Sequence, residues 1–204
     1  MKIITVPHPT LHQTCDQITG VDKKLVRFIK DLEDTLRNKK NPQGVGLSAP
    51  QVDKKLRIFS TFLEHGGSKP EIRTYINPTI TRTSPDKTLG PDAKKPLLEG
   101  CLSIPNIWGP VWRYKWVKLE YLVLDQTALN PGIEESRAST RDGNIPGLIK
   151  QSKRFESFPA RVIQHELDHL HGILFTDYAS QDGLPIYEEK NGDLVEITLS
   201  AGQL

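Results

Sequence analysis

Apolar residues recur every three to four positions between residues 21 and 38, where Val21, Leu25, Phe28, Ile29, Leu32 and Leu36 form one stripe opposite lysine, aspartate, glutamate and arginine. That is the helical period, so the segment is predicted as an amphipathic helix lying on a core. Residues 56–63 and 72–82 are rich in β-branched and aromatic side chains and flank Gly66-Gly67, which reads as strand, turn, strand. Between 116 and 125 the period shortens to two, with Val117, Leu119, Tyr121 and Val123 on one face of a predicted strand. The polar stretch from Gln126 to Asn144, with its Asn130-Pro131-Gly132 and Asp142-Gly143 turns, is read as an enlarged hairpin tip. From it the chain returns through Ile145 to Phe155.

A second helical stripe, Val162, Ile163, Leu167 and Leu170, follows Ser157 and Pro159 and precedes Gly172. Ser157 is the expected cap, Pro159 is tolerated in a first turn, and Gly172 suits the left-handed residue that ends a helix. Near the C-terminal end, Ile186-Tyr187 and Leu194 to Leu199 enclose Asn191-Gly192, a strong hairpin signal. Residues 1–20 read as an extended arm and Ser84 to Pro96 as a loop. Trp108, Trp112 and Trp116 are spaced by four, but Gly109 and Pro110 argue against a helix, so they are assigned to a loop and a strand. The expectation is one α+β domain over residues 1–204, with antiparallel β-sheets around the helix of residues 158–171.

Composition narrows this picture only slightly. With 204 residues, 36% hydrophobic and 25% charged, the chain suits one globular unit. Lys and Arg total 27 against 25 Asp and Glu, a net charge of +2, so nothing calls for a nucleic-acid or anionic-membrane partner. Cys15 and Cys101 are too few for a disulfide framework, and reduced thiols in the cytoplasm are the simpler reading. No stretch is long enough for a membrane span or a signal h-region. The expected compartment is therefore cytoplasmic.

The candidate chemistry is concentrated in the second helix, which carries QHELDHLHG at 164–172. Its H-E-x-x-H pattern sets His165 and His169 on one helical face, where two imidazoles can grip one metal ion, with Glu166 beside them. The plain alternative is a surface helix with solvated His-Glu and Asp-His pairs. A catalytic site of this kind normally has three protein ligands, so another segment must supply the third. Upstream, GVGLSAPQ at 44–51 suits either a tight packing turn or an edge that receives an extended peptide. It lacks the further glycine, lysine and Ser/Thr of a phosphate loop.

Together with EGCLSIP at 99–105, these two stretches occur in the order, and nearly the full form, of the three motifs of the peptide deformylases, and the chain resembles that family over most of residues 1–180. The resemblance implies a metallohydrolase that removes the formyl group from the N-terminal methionine of nascent proteins, with formyl-methionyl chains at the ribosome as partners. It makes Cys101 the third metal ligand beside His165 and His169, and one thiolate with two imidazoles is a sound donor set for such an ion. Ferrous iron is the implied physiological ion, with zinc, nickel or cobalt able to occupy the same site. Coordination would activate a water, Glu166 would serve as general base and then acid, and the oxyanion would be met by the Gln51 side-chain amide and the Leu102 backbone N–H.

By the same resemblance, Gly44 and Gly46 lie where substrate backbone pairs as an added strand, and Phe158 and Val162 help line the methionine pocket. Asp168 is read either as the acceptor that orients a ligand histidine or as a surface carboxylate. The chain departs from the usual pattern in four places. Ser48 replaces the more usual alanine, a small change expected to be tolerated. Asn106 to Pro110 lacks an arginine found near the substrate in bacterial sequences. The tip at Thr127 to Thr140 looks long, and the strand-like tail replaces a C-terminal helix. Two rival readings remain: a thermolysin-like endopeptidase with Glu188 or Glu189 as third ligand, and a metal-stabilised module that binds N-termini without cleaving them.

Overall fold

Asp22 accepts a hydrogen bond from Leu25 N at 2.7 Å and so caps α1 (Lys23–Asn38), whose Leu25, Ile29, Leu32 and Leu36 are buried. Val21 is buried in the same core two residues before the helix, which explains why the apolar stripe starts before the helix does. The structure is a computed structural model that describes residues 1–64, 69–92, 95–125 and 145–198. Its strands are β1 (Gly46–Ser48), β2 (Ile58–Leu63), β3 (Glu71–Thr83), β4 (Lys87–Thr88), β5 (Leu98–Cys101) and β6 (Ile104–Pro110). They are followed by β7 (Arg113–Tyr114), β8 (Trp116–Leu124), β9 (Leu148–Glu156), α2 (Ser157–Leu170), α3 (Phe175–Asp182), β10 (Ile186–Lys190) and β11 (Asp193–Ile197).

A five-stranded sheet, β1-β2-β3-β8-β9, is antiparallel throughout and has a helix on each face. Alternation along each strand divides its side chains between two cores. Ile58 and Ile76 join the core of α1, whereas Phe59, Tyr75, Val117, Leu119 and Tyr121 join Ala160, Ile163, Leu167 and Leu170 of α2. β2 is consequently buried along nearly its whole length. A four-stranded antiparallel sheet, β11-β10-β6-β5, packs on α3 over a third core of Leu11, Ile104, Val111, Leu174 and Phe175. The antiparallel α+β arrangement around the histidine-bearing helix is thus the one expected from the sequence.

The N-terminal arm holds these parts together. Ile4 N donates to Gln51 O at 2.9 Å, Val6 N to Ser103 O at 3.0 Å and Cys15 N to Leu170 O at 2.9 Å. One extended segment therefore ties the turn after β1, the turn after β5 and the end of α2, the three places that carry the sequence motifs.

Several expectations need correction. The N-cap of α2 is Glu156 and makes no side-chain capping bond, while Ser157 is the first helical residue, at φ 54°. Pro159 does lie in the first turn, and Gly172, at φ 72°, does follow the helix. A Cβ on Gly172 would come within 2.5 Å of His12 backbone, so both conformation and crowding favour glycine there. The segment 84–96 is not wholly loop, because β4 pairs with β7. The arm contains a 3-10 turn at Pro9–His12. α3 was not anticipated, since its eight residues bury only Phe175, Thr176 and Ala179 and show no stripe. The hairpin at Asn191-Gly192 is present as expected, with both residues at positive φ. The turn at Gly66-Gly67 and the tip at Thr127 to Thr140 lie outside the described residues.

Candidate metal centre and active site

Helical spacing brings His165 and His169 to one side of α2, with ring centroids 5.0 Å apart. At the end of β5, Cys101 meets them: its Sγ lies 3.2 Å from His169 Nε2, and one ligand atom from each of the three residues falls within 4.8 Å of the others. Among the described residues this is the one group of three or more such side chains close enough to hold an ion. A soft thiolate with two imidazoles fits a divalent transition metal. Further support comes from His165, whose Nδ1 bonds Glu99 Oε2 at 3.0 Å and so leaves Nε2 for a ligand. The buried His169 Nδ1 has no hydrogen-bond partner among the described residues.

Glu99, not Asp168, is therefore the carboxylate that orients a histidine of this group. It sits two residues before Cys101 on β5, and strand alternation sends both side chains the same way. Arg113 grips it with Nε at 2.9 Å and Nη2 at 2.8 Å, and Arg161 Nη1 adds a third bond at 2.7 Å. Burial alone would raise the Glu99 carboxyl, but the Arg113 guanidinium, followed by His165, holds it well below its ordinary range. Asp168 instead takes Arg113 Nη1 at 2.5 Å and the Tyr178 hydroxyl at 3.1 Å, outside the ligand set but anchoring the same arginine. Burial would depress His165, yet its bonds to Cys101 and Glu99 raise it well above the usual imidazole value. His169, desolvated and facing His165, is pushed well below it.

Glu166 lies between β1 and the ligands. Gly46 and Ser48, two residues apart on β1, face it, while Leu47 points into the core of α1. A Cβ at Gly46 would stand 2.2 Å from Glu166 Oε1, so only glycine leaves room for the carboxylate. The Ser48 hydroxyl makes a short hydrogen bond to Glu166 Oε2 and lies 3.2 Å from the Glu166 carbonyl oxygen. Glu166 is 3% exposed, and burial, only partly opposed by His165 and Ser48, pushes its carboxyl up to about 7. A group near that value can take and return a proton around neutral pH.

Gln51 belongs to the 3-10 turn Ala49–Val52 that follows β1. Its Oε1 accepts from Ser48 N at 2.8 Å, which turns Nε2 toward Cys101 Sγ, 3.4 Å away, and Ser103 Oγ, 3.2 Å away. Leu102 stands in the turn between β5 and β6. Together these segments line a cleft of about 360 Å³ that contains Gly44, Gly46, Gln51, Cys101, Leu102, Phe158, Val162, His165 and Glu166. It lies where the edge strands β1 and β5 of the two sheets approach α2. Every site residue expected from the sequence thus lines this cleft except His169, which is buried next to Cys101.

Sequence reasoning passed over Glu99, although it stands in a quoted motif, and gave no signal for Arg113 or Arg161. The endopeptidase alternative fails on geometry. Glu188 pairs with Lys190 at 2.7 Å and Glu189 accepts from Trp108 Nε1 at 3.0 Å, so neither belongs to the ligand group.

A helix-borne H-E-x-x-H, completed by a strand cysteine, with a buried acid beside it, defines a metal-dependent hydrolase. Comparison with known proteins makes the assignment narrower. The sequence profile described as polypeptide deformylase matches residues 1–140 and 148–183, and the chain belongs to that family. It is 34% identical to peptide deformylase 1 of Bacillus cereus over 189 residues, 93% of this chain and 96% of that protein. It is 33% identical to the peptide deformylase of Rhodopirellula baltica over 90% of this chain and 75% of the relative. Among solved structures, peptide deformylase from Plasmodium falciparum superposes with a TM-score of 0.64 at 32% identity, covering 87% of this chain and 85% of that one. A probable peptide deformylase from a Synechococcus phage gives 0.64 at 28%, covering 87% and 99%. The enzyme is thus a hydrolase of N-formyl-methionyl peptides from a metal-dependent family.

Proposed function

We propose that this chain removes the formyl group from formyl-methionine at the start of nascent polypeptides in the cytoplasm, as they leave the ribosome, with Glu166 as the proton-transferring residue. The supporting observation is a carboxyl group, buried and held near neutral pKa, beside a Cys-His-His donor set in one cleft. Held by Cys101, His165 and His169, a divalent ion supplies the Lewis acidity that makes water a competent nucleophile near neutral pH. Ferrous iron is the proposed physiological ion; zinc, nickel and cobalt suit the same donors.

Glu166 takes a proton from the water that adds to the formyl carbon, and the Gln51 amide and the Leu102 backbone N–H donate to the oxygen that gains charge. The carbon–nitrogen bond then breaks, the proton held by Glu166 passes to the departing amine, and formate leaves. Phe158 and Val162 receive the methionine side chain. The unpaired edge of β1 at Gly46, with Gly44 before it, takes the peptide backbone as an added strand. Glu99 holds His165 in place, and Asp168 acts through Arg113.

The test combines metal analysis with hydrolysis of a formyl-Met-Ala-Ser peptide under anaerobic conditions. Glu166→Ala should keep the metal and lose most turnover, whereas His165→Ala should lose both. Gln51→Ala should cost about 2.7–4 kcal/mol of transition-state stabilisation, the effect of deleting one oxyanion donor. An active Glu166→Ala enzyme would end this mechanism.

A further inference from the structure

The hairpin β10–β11 lies beyond residue 183, where the family profile stops matching, yet it reaches the catalytic cleft. β10 adds to the sheet by pairing with β6 through Tyr187↔Trp108 and Glu188↔Ile107. The next residue, Glu189, accepts a hydrogen bond from Trp108 Nε1 at 3.0 Å and lines the cleft together with Trp108. Trp108 in turn lies over Gly100, where a Cβ would come within 2.7 Å of the indole, and Gly100 precedes the ligand Cys101. A direct line of contacts therefore runs from the tail to the metal centre, and Glu189 stands at the solvent end of it.

Charge distinguishes Glu189 from most of the lining. Glu99, Arg161 and His165 are tied into one another below the surface, and Glu166 is buried against Ser48. Lys39 and Glu189 are the remaining charged side chains of the cleft, and Glu189 has no cationic partner among the described residues. The indole occupies one side of its carboxylate and leaves an anion at the rim. A formyl-methionyl substrate has no free α-amine, and its formyl end must lie at Glu166 and the residues proposed to hold the metal. Only side chains that follow methionine can reach the rim.

Resting on the deformylase reading above, we propose that Glu189 is a specificity-determining residue that favours substrates with lysine or arginine shortly after the methionine and disfavours those with aspartate or glutamate. An exposed carboxylate acts here as a point charge rather than a shaped pocket, so the discrimination is modest and sensitive to salt.

Hydrolysis of formyl-Met-Ala-Xaa and formyl-Met-Xaa-Ala peptide amides, with Xaa as Lys, Gln or Glu, tests this on the metal-loaded full chain. At low ionic strength kcat/KM should rank Lys over Gln over Glu in at least one series. The extremes should differ by roughly three- to tenfold, carried mainly by KM, and the ratio should shrink in high salt. Glu189→Gln should collapse the ratio, and Glu189→Lys should invert it. Glu188→Gln, on the same strand but bonded to Lys190, should keep the wild-type ratio. A ratio unchanged in Glu189→Gln, or one abolished by Lys39→Gln instead, overturns the assignment. Failure to hydrolyse even the neutral peptides would bring down the deformylase reading itself, and this inference with it.

Discussion

At Ser48 a hydroxyl stands where the deformylase pattern more usually has alanine, and the structure gives that hydroxyl a partner, the Glu166 carboxylate. A hydrogen bond to a charged group contributes about 1.5–3 kcal/mol, and this one favours the ionised acid. Ser48→Ala should therefore fold and keep its metal while losing roughly tenfold or more in kcat. Deleting a donor that lowers the Glu166 value raises it further above about 7, so the acid limb of the kcat/KM profile should move to higher pH. An unmoved profile would mean that the hydroxyl only fills space. The same scale shows why the carboxylate bonded to His165 is not legible in the sequence. Asp168 is the sequence neighbour of His169, but successive helical residues point about 100° apart and cannot face each other. Glu99 comes from a strand on the far side of the ligand, and nothing local in the sequence announces that approach.

Between elements, the junction of β5, β7 and α2 is made by charge rather than by apolar packing. Glu99, Arg113, Arg161 and Asp168 interlock there, with Arg113 4% exposed. Such a cluster adds little over a well-packed apolar one, but losing a member leaves unpaired buried charge at about 3–5 kcal/mol. Because the folded value of Glu99 is depressed from 4.5, its contribution is complete above that pH and is lost as pH falls toward the folded value. Urea unfolding of Glu99→Gln should accordingly show its greatest deficit near neutral pH, with the gap closing in acid. Metal affinity should fall about 10–100-fold alongside, because His165 loses its acceptor. A deficit independent of pH would remove Glu99 from this role. Elements with long patterns were legible in advance: α1, α2, β8 and the Asn191-Gly192 hairpin each carry a period or a turn signal. α3 and the pairing of β4 with β7 carry neither, since eight residues and two residues are too few to establish a period.

For the molecule as a whole, an ion held by Cys101, His165 and His169 would join the two sheets, since these side chains come from the end of β5 and from α2, which packs against β1, β2, β8 and β9. Binding to the folded chain alone stabilises it by about 4.1 kcal/mol at a thousandfold excess over Kd, so chelation should lower Tm and restoring metal should recover it. Air should inactivate an iron form as Cys101 oxidises, while a zinc form stays stable but slower. Turnover and metal content on the same samples check this, and a zinc form that is fastest and indifferent to air would refute the iron assignment. The three motifs pointed to Cys101, His165 and His169, which the fold brings within 4.8 Å of one another; the tail's share of the cleft was not legible, because a hairpin signal says nothing of what the hairpin lies against.

The sheet between α1 and α2 has a further consequence. A strand with water on one side cannot slip by one residue without exposing its apolar set, but in β2 such a slip would only exchange Ile58 and Phe59 between two dry cores. Hydrophobicity therefore does not police the register there. Hydrogen bonds can do so: Ser60 meets Thr74 across the strands at 2.8 Å, Thr74 donates onward to Glu33 of α1, and Asn77 N donates to the carbonyl of Arg57, just before β2, at 2.8 Å. A misaligned β2 would strand hydroxyls in the interior instead of putting apolar side chains into water. These few polar groups act as alignment pins between β2, β3 and α1.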